Sequence, residues 1–115
     1  MRLVKSFGYA LRGLKEAMLK ELNMKLHVLA SITIIIAGLL LDFNYIEWCV
    51  VIISIGLVVG LETMNSAIER LVDFVSPERR AQAGIIKDMS AGAVLVVSLS
   101  AFIVGVLLLL NKVLD

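Results

Sequence analysis

At 115 residues, 60% of them hydrophobic, the chain carries more apolar surface than a soluble domain of its size can bury, and it leaves no room for a second domain of ordinary size. Eleven Lys and Arg against ten Asp and Glu give a formal net charge of +1, and no basic stripe or aromatic–basic interleaving points to nucleic acid as a partner. The single cysteine, Cys49, cannot close an intrachain disulfide and lies in an apolar run outside any metal-ligand spacing.

Residues 1–24 predict an amphipathic surface helix. Leu3, Val4, Phe7, Leu11, Leu14, Met18 and Leu22 repeat at i, i+3/i+4 and fall within about 100° of a helical wheel. Arg2, Lys5, Arg12, Glu16 and Lys20 lie outside that arc, so the helix is expected in the headgroup plane or packed on the bundle. Three uncharged runs follow. Leu26–Leu41 has 16 residues, Trp48–Leu61 has 14 and Met89–Asn111 has 23. The third is long enough for a hydrocarbon core of about 30 Å at about 1.5 Å per residue. The first two become adequate with their flanks, where Lys25 can snorkel and Glu47 can lie at an interface. The chain therefore reads as one all-α membrane domain, 1–115, with membrane helices at 26–43, 46–66 and 85–111. The second is expected to continue as helix to about residue 75. A cleaved signal peptide fits poorly, because the first run lies behind 25 mixed-charge residues and no small-residue cleavage site follows it. Ser76, Pro77 and Glu78 have the order of an N-cap, a first helical proline and an acidic first turn, which predicts a new helix from Pro77.

Charge sets the orientation. Ten of the eleven basic residues lie in residues 1–25 or 70–87, and the 42–47 loop has none. The N-terminus and second loop are thus expected in the cytoplasm, and the first loop and C-terminus outside.

Acids then occur where lipid is expected. From Glu62, residues Asn65, Glu69 and Asp73 project at about −60°, −20° and +20°, with Ser66 at about +40°. Three carboxylates, an amide and a hydroxyl share one stripe, and like charges so placed need a cation, a metal ion or protonation to offset them. Glu62 lies 15 residues beyond Glu47, about 22 Å along a helix, which puts it slightly inside the cytoplasmic boundary, where an ionisable residue is functional by default. Glu21 falls on the apolar arc of the N-terminal helix. It is an interfacial carboxylate, a partner of Lys25, or a ligand aimed at the bundle. His27 is either an interfacial packing residue or part of the site, and Lys87-Asp88 either a structural ion pair or part of the site. Ala83, Gly84, Ser90, Ala91 and Gly92 are the small residues of a closely packed membrane helix. Hard oxygen ligands suit Mg²⁺, and cytoplasmic Lys and Arg supply neutralising cations, the parts phosphoryl transfer needs. No phosphate-cradling G-x-x-x-x-G-K-[ST] motif or protein-kinase signature is present. The residues alone reach metal-dependent chemistry at the cytoplasmic membrane surface. A small transporter, which wants its acid at mid-membrane, and a structural subunit without chemistry are the rival classes.

Glu62-Thr-Met-Asn65-Ser-Ala-Ile-Glu69-Arg-Leu-Val-Asp73, Ser76-Pro77-Glu78 and Lys87-Asp88-Met89-Ser90-Ala91-Gly92 closely resemble the prokaryotic diacylglycerol kinase/undecaprenol kinase family. Gly8-Tyr9-Ala10-Leu11-Arg12-Gly13-Leu14 and Glu21 extend the resemblance over essentially the whole chain. It implies a homotrimer in the bacterial cytoplasmic membrane, with three membrane helices and a surface helix per subunit and sites shared between subunits. The implied reaction moves the γ-phosphate of MgATP to a lipid hydroxyl. Glu62 would be the general base, and Glu21 and Glu69 would bind Mg²⁺. Arg2, Tyr9, Asn65, Asp73, Lys87 and Asp88 would contact nucleotide phosphates or sugar, together with Glu21 and Glu69 through the metal, and Glu78 would lie near the adenine. Arg79-Arg80 stands where some members have Tyr-His. Asn23-Met24-Lys25-Leu26-His27 is similar to the N-M-[RK]-x-H stretch of undecaprenol kinases, which implies undecaprenol over diacylglycerol as acceptor. Asn23, Lys25, His27, Glu62 and Ala91 would line the lipid site.

Overall fold

The computed structural model describes residues 1–78 and 80–114, and in them the periodic segments form four helices. These are α1 (Arg2–Lys20), α2 (Leu22–Leu40), α3 (Tyr45–Val75) and α4 (Ala81–Leu114). The last three are long and apolar enough to cross a membrane, so the chain is a multi-pass membrane protein.

The first boundary differs from the expected one. Glu21 is a single extended residue, φ −111° and ψ 120°, that both closes α1 and opens α2. Its N–H bonds to the Ala17 carbonyl and its own carbonyl accepts from Lys25 N, so both backbone groups of Glu21 are paired at the break. The wheel angle that put Glu21 on the apolar arc therefore does not hold, because an extended residue re-aims its side chain.

The turn between α2 and α3 is built from three devices. Asp42 adopts φ 59°, and Phe43 N–H reaches back to Gly38 O at 2.9 Å, the six-to-one bond of a helix stop with aspartate where glycine is usual. Asn44 then caps α3: its side chain accepts from Glu47 N–H while the Glu47 carboxylate accepts from Asn44 N–H, both at 2.9 Å. Phe43 and Trp48 pack with ring centroids 5.6 Å apart, and their edges lie over Gly38, where a Cβ would come within 2.7 Å of the Trp48 ring.

Ser76 and Pro77 do not open the last helix. The Ser76 N–H is already consumed by Val72 O at 2.8 Å, and its hydroxyl donates to the Glu78 carbonyl instead of accepting from an amide. Ser76 thus ends α3, and α4 starts at Ala81.

α3 packs mainly on α4 and then on α2, and α1 touches α2 and α3. Antiparallel α3 and α4 are tied at both ends by ion pairs, Glu47–Lys112 (3.0 Å) at one and Asp73–Lys87 at the other. The 26 helical steps from residue 47 to 73 and the 25 from 87 to 112 each rise about 38 Å, enough to bracket a core of about 30 Å. The interior is thin. Its buried apolar residues are Ala17, Met24, Phe43, Val51 and Val58, and no described residue of α4 is buried. Apolar side chains cover the outside, as lipid or neighbouring helices require.

Candidate active site

The 3.6-residue period of α3 turns Glu62, Asn65 and Ser66 into the bundle, where all three are buried, Glu62 with 2% of its surface exposed. Glu69, one turn on, is half-buried, and Asp73, a further turn on, is exposed. The stripe thus runs from a dry end at Glu62 to a wet end at Asp73.

Around Glu62 the chain gathers residues distant in sequence. Glu21 and Glu69 lie close enough for their charges to act on it. His27 Nε2 stands 3.6 Å from Glu62 Oε2. Asn65 Nδ2 donates to Glu69 Oε1 at 3.4 Å, while Asn65 Oδ1 and Ser66 Oγ are buried without a hydrogen-bond partner among the described residues. An unpartnered carbonyl oxygen beside two carboxylates is the donor chemistry of a hard cation. Among the described residues, no three of His, Cys, Asp and Glu stand close enough to cage an ion alone. Mg²⁺ takes one or two carboxylates and completes its shell with phosphate and water.

The wet end forms a cavity of about 500 Å³ between the end of α3 and the start of α4. Lys87 donates to Asp73 across the two helices, so its partner is not the neighbouring Asp88, which is exposed. Glu78 and Arg80 pair at 3.4 Å at the mouth, and Gly84 keeps the α4 wall open. Arg79 lies outside the described residues.

Other expected site residues stand apart. Arg2 and Tyr9 are exposed on α1, with the Arg12 guanidinium 5.7 Å from the centre of the Tyr9 ring. Asn23 and Lys25 are exposed on α2, and among the described residues Lys25 makes no ion pair, which removes the Glu21–Lys25 pairing considered for Glu21. Ala91 is exposed on α4. Two features escaped sequence reasoning. Met24 is wholly buried, though only its position three residues before His27 hinted at it. Glu16 bonds Lys20 at 2.7 Å and reaches Arg70 at 3.5 Å, tying α1 to α3 through a contact that no local pattern shows.

Residues 8–109 match the model of the family described as prokaryotic diacylglycerol kinase. The chain belongs to this family. It is 37% identical to an undecaprenol kinase of Bacillus subtilis over 96% of this chain and 90% of that protein. A diacylglycerol kinase of Escherichia coli is 33% identical over 94% of this chain and 88% of that one, and a Helicobacter pylori diacylglycerol kinase is 34% identical over 83% and 74%. The chain is therefore a lipid kinase, a phosphotransferase with an alcohol acceptor, and the choice among enzyme, transporter and structural subunit falls to the enzyme.

Proposed function

We propose that this kinase transfers the γ-phosphate of MgATP to undecaprenol, giving undecaprenyl phosphate. The observation that carries the reading is Glu62, a buried carboxylate near the end of a membrane span with two further carboxylates beside it. A lipid hydroxyl in the leaflet and a nucleotide in water can meet at such a depth. The Asn23-Met24-Lys25-Leu26-His27 stretch and the 37% likeness to an undecaprenol kinase favour the prenyl alcohol.

In this reading Glu62 accepts the hydroxyl proton as the lipid oxygen attacks the γ-phosphorus and the bond to the departing ADP breaks. Glu21 and Glu69 would hold Mg²⁺, with Asn65 Oδ1 as a further oxygen, and the ion when bound screens the charge of the phosphates. Lys87, Asp73 and Asp88 orient the phosphates and sugar, Arg2 and Tyr9 close over them from α1, and Glu78 meets the adenine. Asn23, Lys25 and Ala91 would face the lipid. Acceleration comes from positioning and electrostatics, since phosphoryl transfer asks little covalent chemistry of the protein.

The remaining features follow the same reading. α1 lies in the headgroup plane of the bacterial cytoplasmic membrane with Leu3, Val4, Phe7 and Leu11, all exposed, toward lipid. The N-terminus is cytoplasmic by the placement of Lys and Arg. The working unit is a homotrimer.

The test is transfer of labelled phosphate from MgATP by the purified protein, with undecaprenol and diacylglycerol offered in parallel. Label mainly in undecaprenyl phosphate is expected, and preference for diacylglycerol would reverse the acceptor while keeping the mechanism. Glu62→Gln is expected to lower turnover by about 100-fold or more with nucleotide binding nearly intact. Retention of more than about a tenth of turnover would remove Glu62 as the base.

A further inference from the structure

His27 is the chain's only histidine, and it faces Glu62. It stands in the second turn of α2, with Ser31 Oγ donating to its carbonyl at 2.8 Å, and the fully buried Met24 anchors the same side of the helix one turn earlier. Lys25, two residues away, projects to the opposite side and is exposed. The geometry points to His27 as a positioning residue for Glu62. This rests on the reading of Glu62 as the base.

The chemistry is specific. Glu62 is a buried carboxylate with Glu21 and Glu69 near it, and its one ion-pair partner among the described residues is His27. Nε2 of His27 is the only Lys, Arg or His nitrogen paired with that carboxylate among the described residues. At 3.6 Å the contact is in the range of an ion pair and longer than a hydrogen bond, as catalytic contacts are before substrate binds. An Nε2–H aimed at Oε2 fixes one carboxylate oxygen and leaves the other for the lipid hydroxyl. The ring also lines the near end of an apolar cavity of about 650 Å³ between α2, α3 and α4, so it separates the carboxylate from the membrane-facing space. His27 thus acts on the lipid through Glu62, a different role from the direct lipid contact that the resemblance implies.

Two measurements test it. In protein carrying ¹⁵N-labelled histidine, in detergent without nucleotide or metal, the single pair of ring resonances is expected to move in Glu62→Gln and to stay in Asp73→Asn, three turns away. Unmoved resonances in Glu62→Gln would overturn the contact, with no activity needed. In kinetics, His27→Phe keeps a ring without nitrogens and is expected to lower kcat by about 10- to 100-fold, with KM for ATP and lipid within about threefold. His27→Gln, which returns an N–H near the Nε2 position, is expected to recover most of that loss. A raised lipid KM with unchanged kcat in His27→Phe would make His27 a lipid contact, and unchanged kinetics would make it packing; either result overturns the inference. An inactive Glu62→Gln beside a fully active His27→Phe leaves the base in place and removes only His27. An active Glu62→Gln removes the base itself.

Discussion

A base for a lipid alcohol must be shielded from water and still be reached by a phosphate that arrives in water. In the proposed reading the stripe on α3 would meet both needs by changing character along its length, from buried Glu62 through half-buried Glu69 to exposed Asp73. Glu69 sits at the changeover, with one oxygen held by Asn65 at 3.4 Å. Glu69→Gln keeps that contact but removes a charge, so the Mg²⁺ concentration for half-maximal activity is expected to rise by about tenfold or more, read from a metal titration at saturating ATP. An unchanged titration would free Glu69 from the metal. The stripe was legible because a single helix carries it and 100° per residue is enough to draw it. Glu21 was legible as an anomaly but not in its geometry, since one extended residue between two helices erases the wheel on which it was drawn. The His27–Glu62 contact was out of reach for another reason: the residues are 35 apart on different helices, and only packing brings them together.

Among the elements, three apolar runs announced three spans, because a bilayer demands length and apolarity before anything else. The ends of those spans depend on single hydrogen bonds and were harder to read. Asn44-x-x-Glu47 is a capping box plain in the sequence, whereas Ser76-Pro77 carries the same kind of signal and is a helix end, because its amide and hydroxyl are already used. The α2–α3 turn depends on Gly38, over which Trp48 and Phe43 close. Gly38→Val puts methyl groups where a single Cβ already meets the Trp48 ring at 2.7 Å, and is expected to cost about 1–3 kcal/mol, read as a lowered Tm in detergent. A Tm at or above that of the unsubstituted protein would mean that the rings yield. The tie between α1 and α3 answers to pH. The hydrogen bond and charge of Lys20, then the charge of Arg70, hold the Glu16 carboxyl below its ordinary value of 4.5. A carboxylate whose pKa is lowered by folding contributes above its unfolded value and loses that contribution as pH falls through the folded one. Below 4.5, α1 is therefore expected to loosen from α3, seen as faster amide exchange over 14–20 after correction for the intrinsic rate. Glu16→Gln should show the loosened exchange at pH 6 and remove the pH step. If the variant still steps with pH, another group holds α1.

At the scale of the whole molecule, the proposed reading divides the site between subunits. Glu62, the proposed base, and the cavity at Asp73–Lys87 are 11 residues apart on α3, about 16 Å of helix, and the described part of α4 has no buried residue. Most of the apolar surface is exposed, including Ile52, Ile53 and Leu57 on α3 and Leu99, Phe102 and Ile103 on α4, which leaves faces for sister subunits as well as for lipid. In the proposed symmetric trimer with shared sites, one subunit would supply Glu62 and its neighbour Asp73 and Lys87. Two inactive variants then separate shared from private sites. Glu62→Gln subunits and Asp73→Asn subunits, unfolded, mixed in equal amounts and refolded together, are expected to regain about a quarter of unsubstituted activity, because a site is whole only when each half comes from the variant that retains it. Sites contained within one subunit would always carry one lesion, and the mixture would stay as inactive as its parts. Each variant refolded alone sets the baseline. Restored activity in the mixture would require both a multimer and a site divided between its subunits, which no sequence pattern in one chain can express.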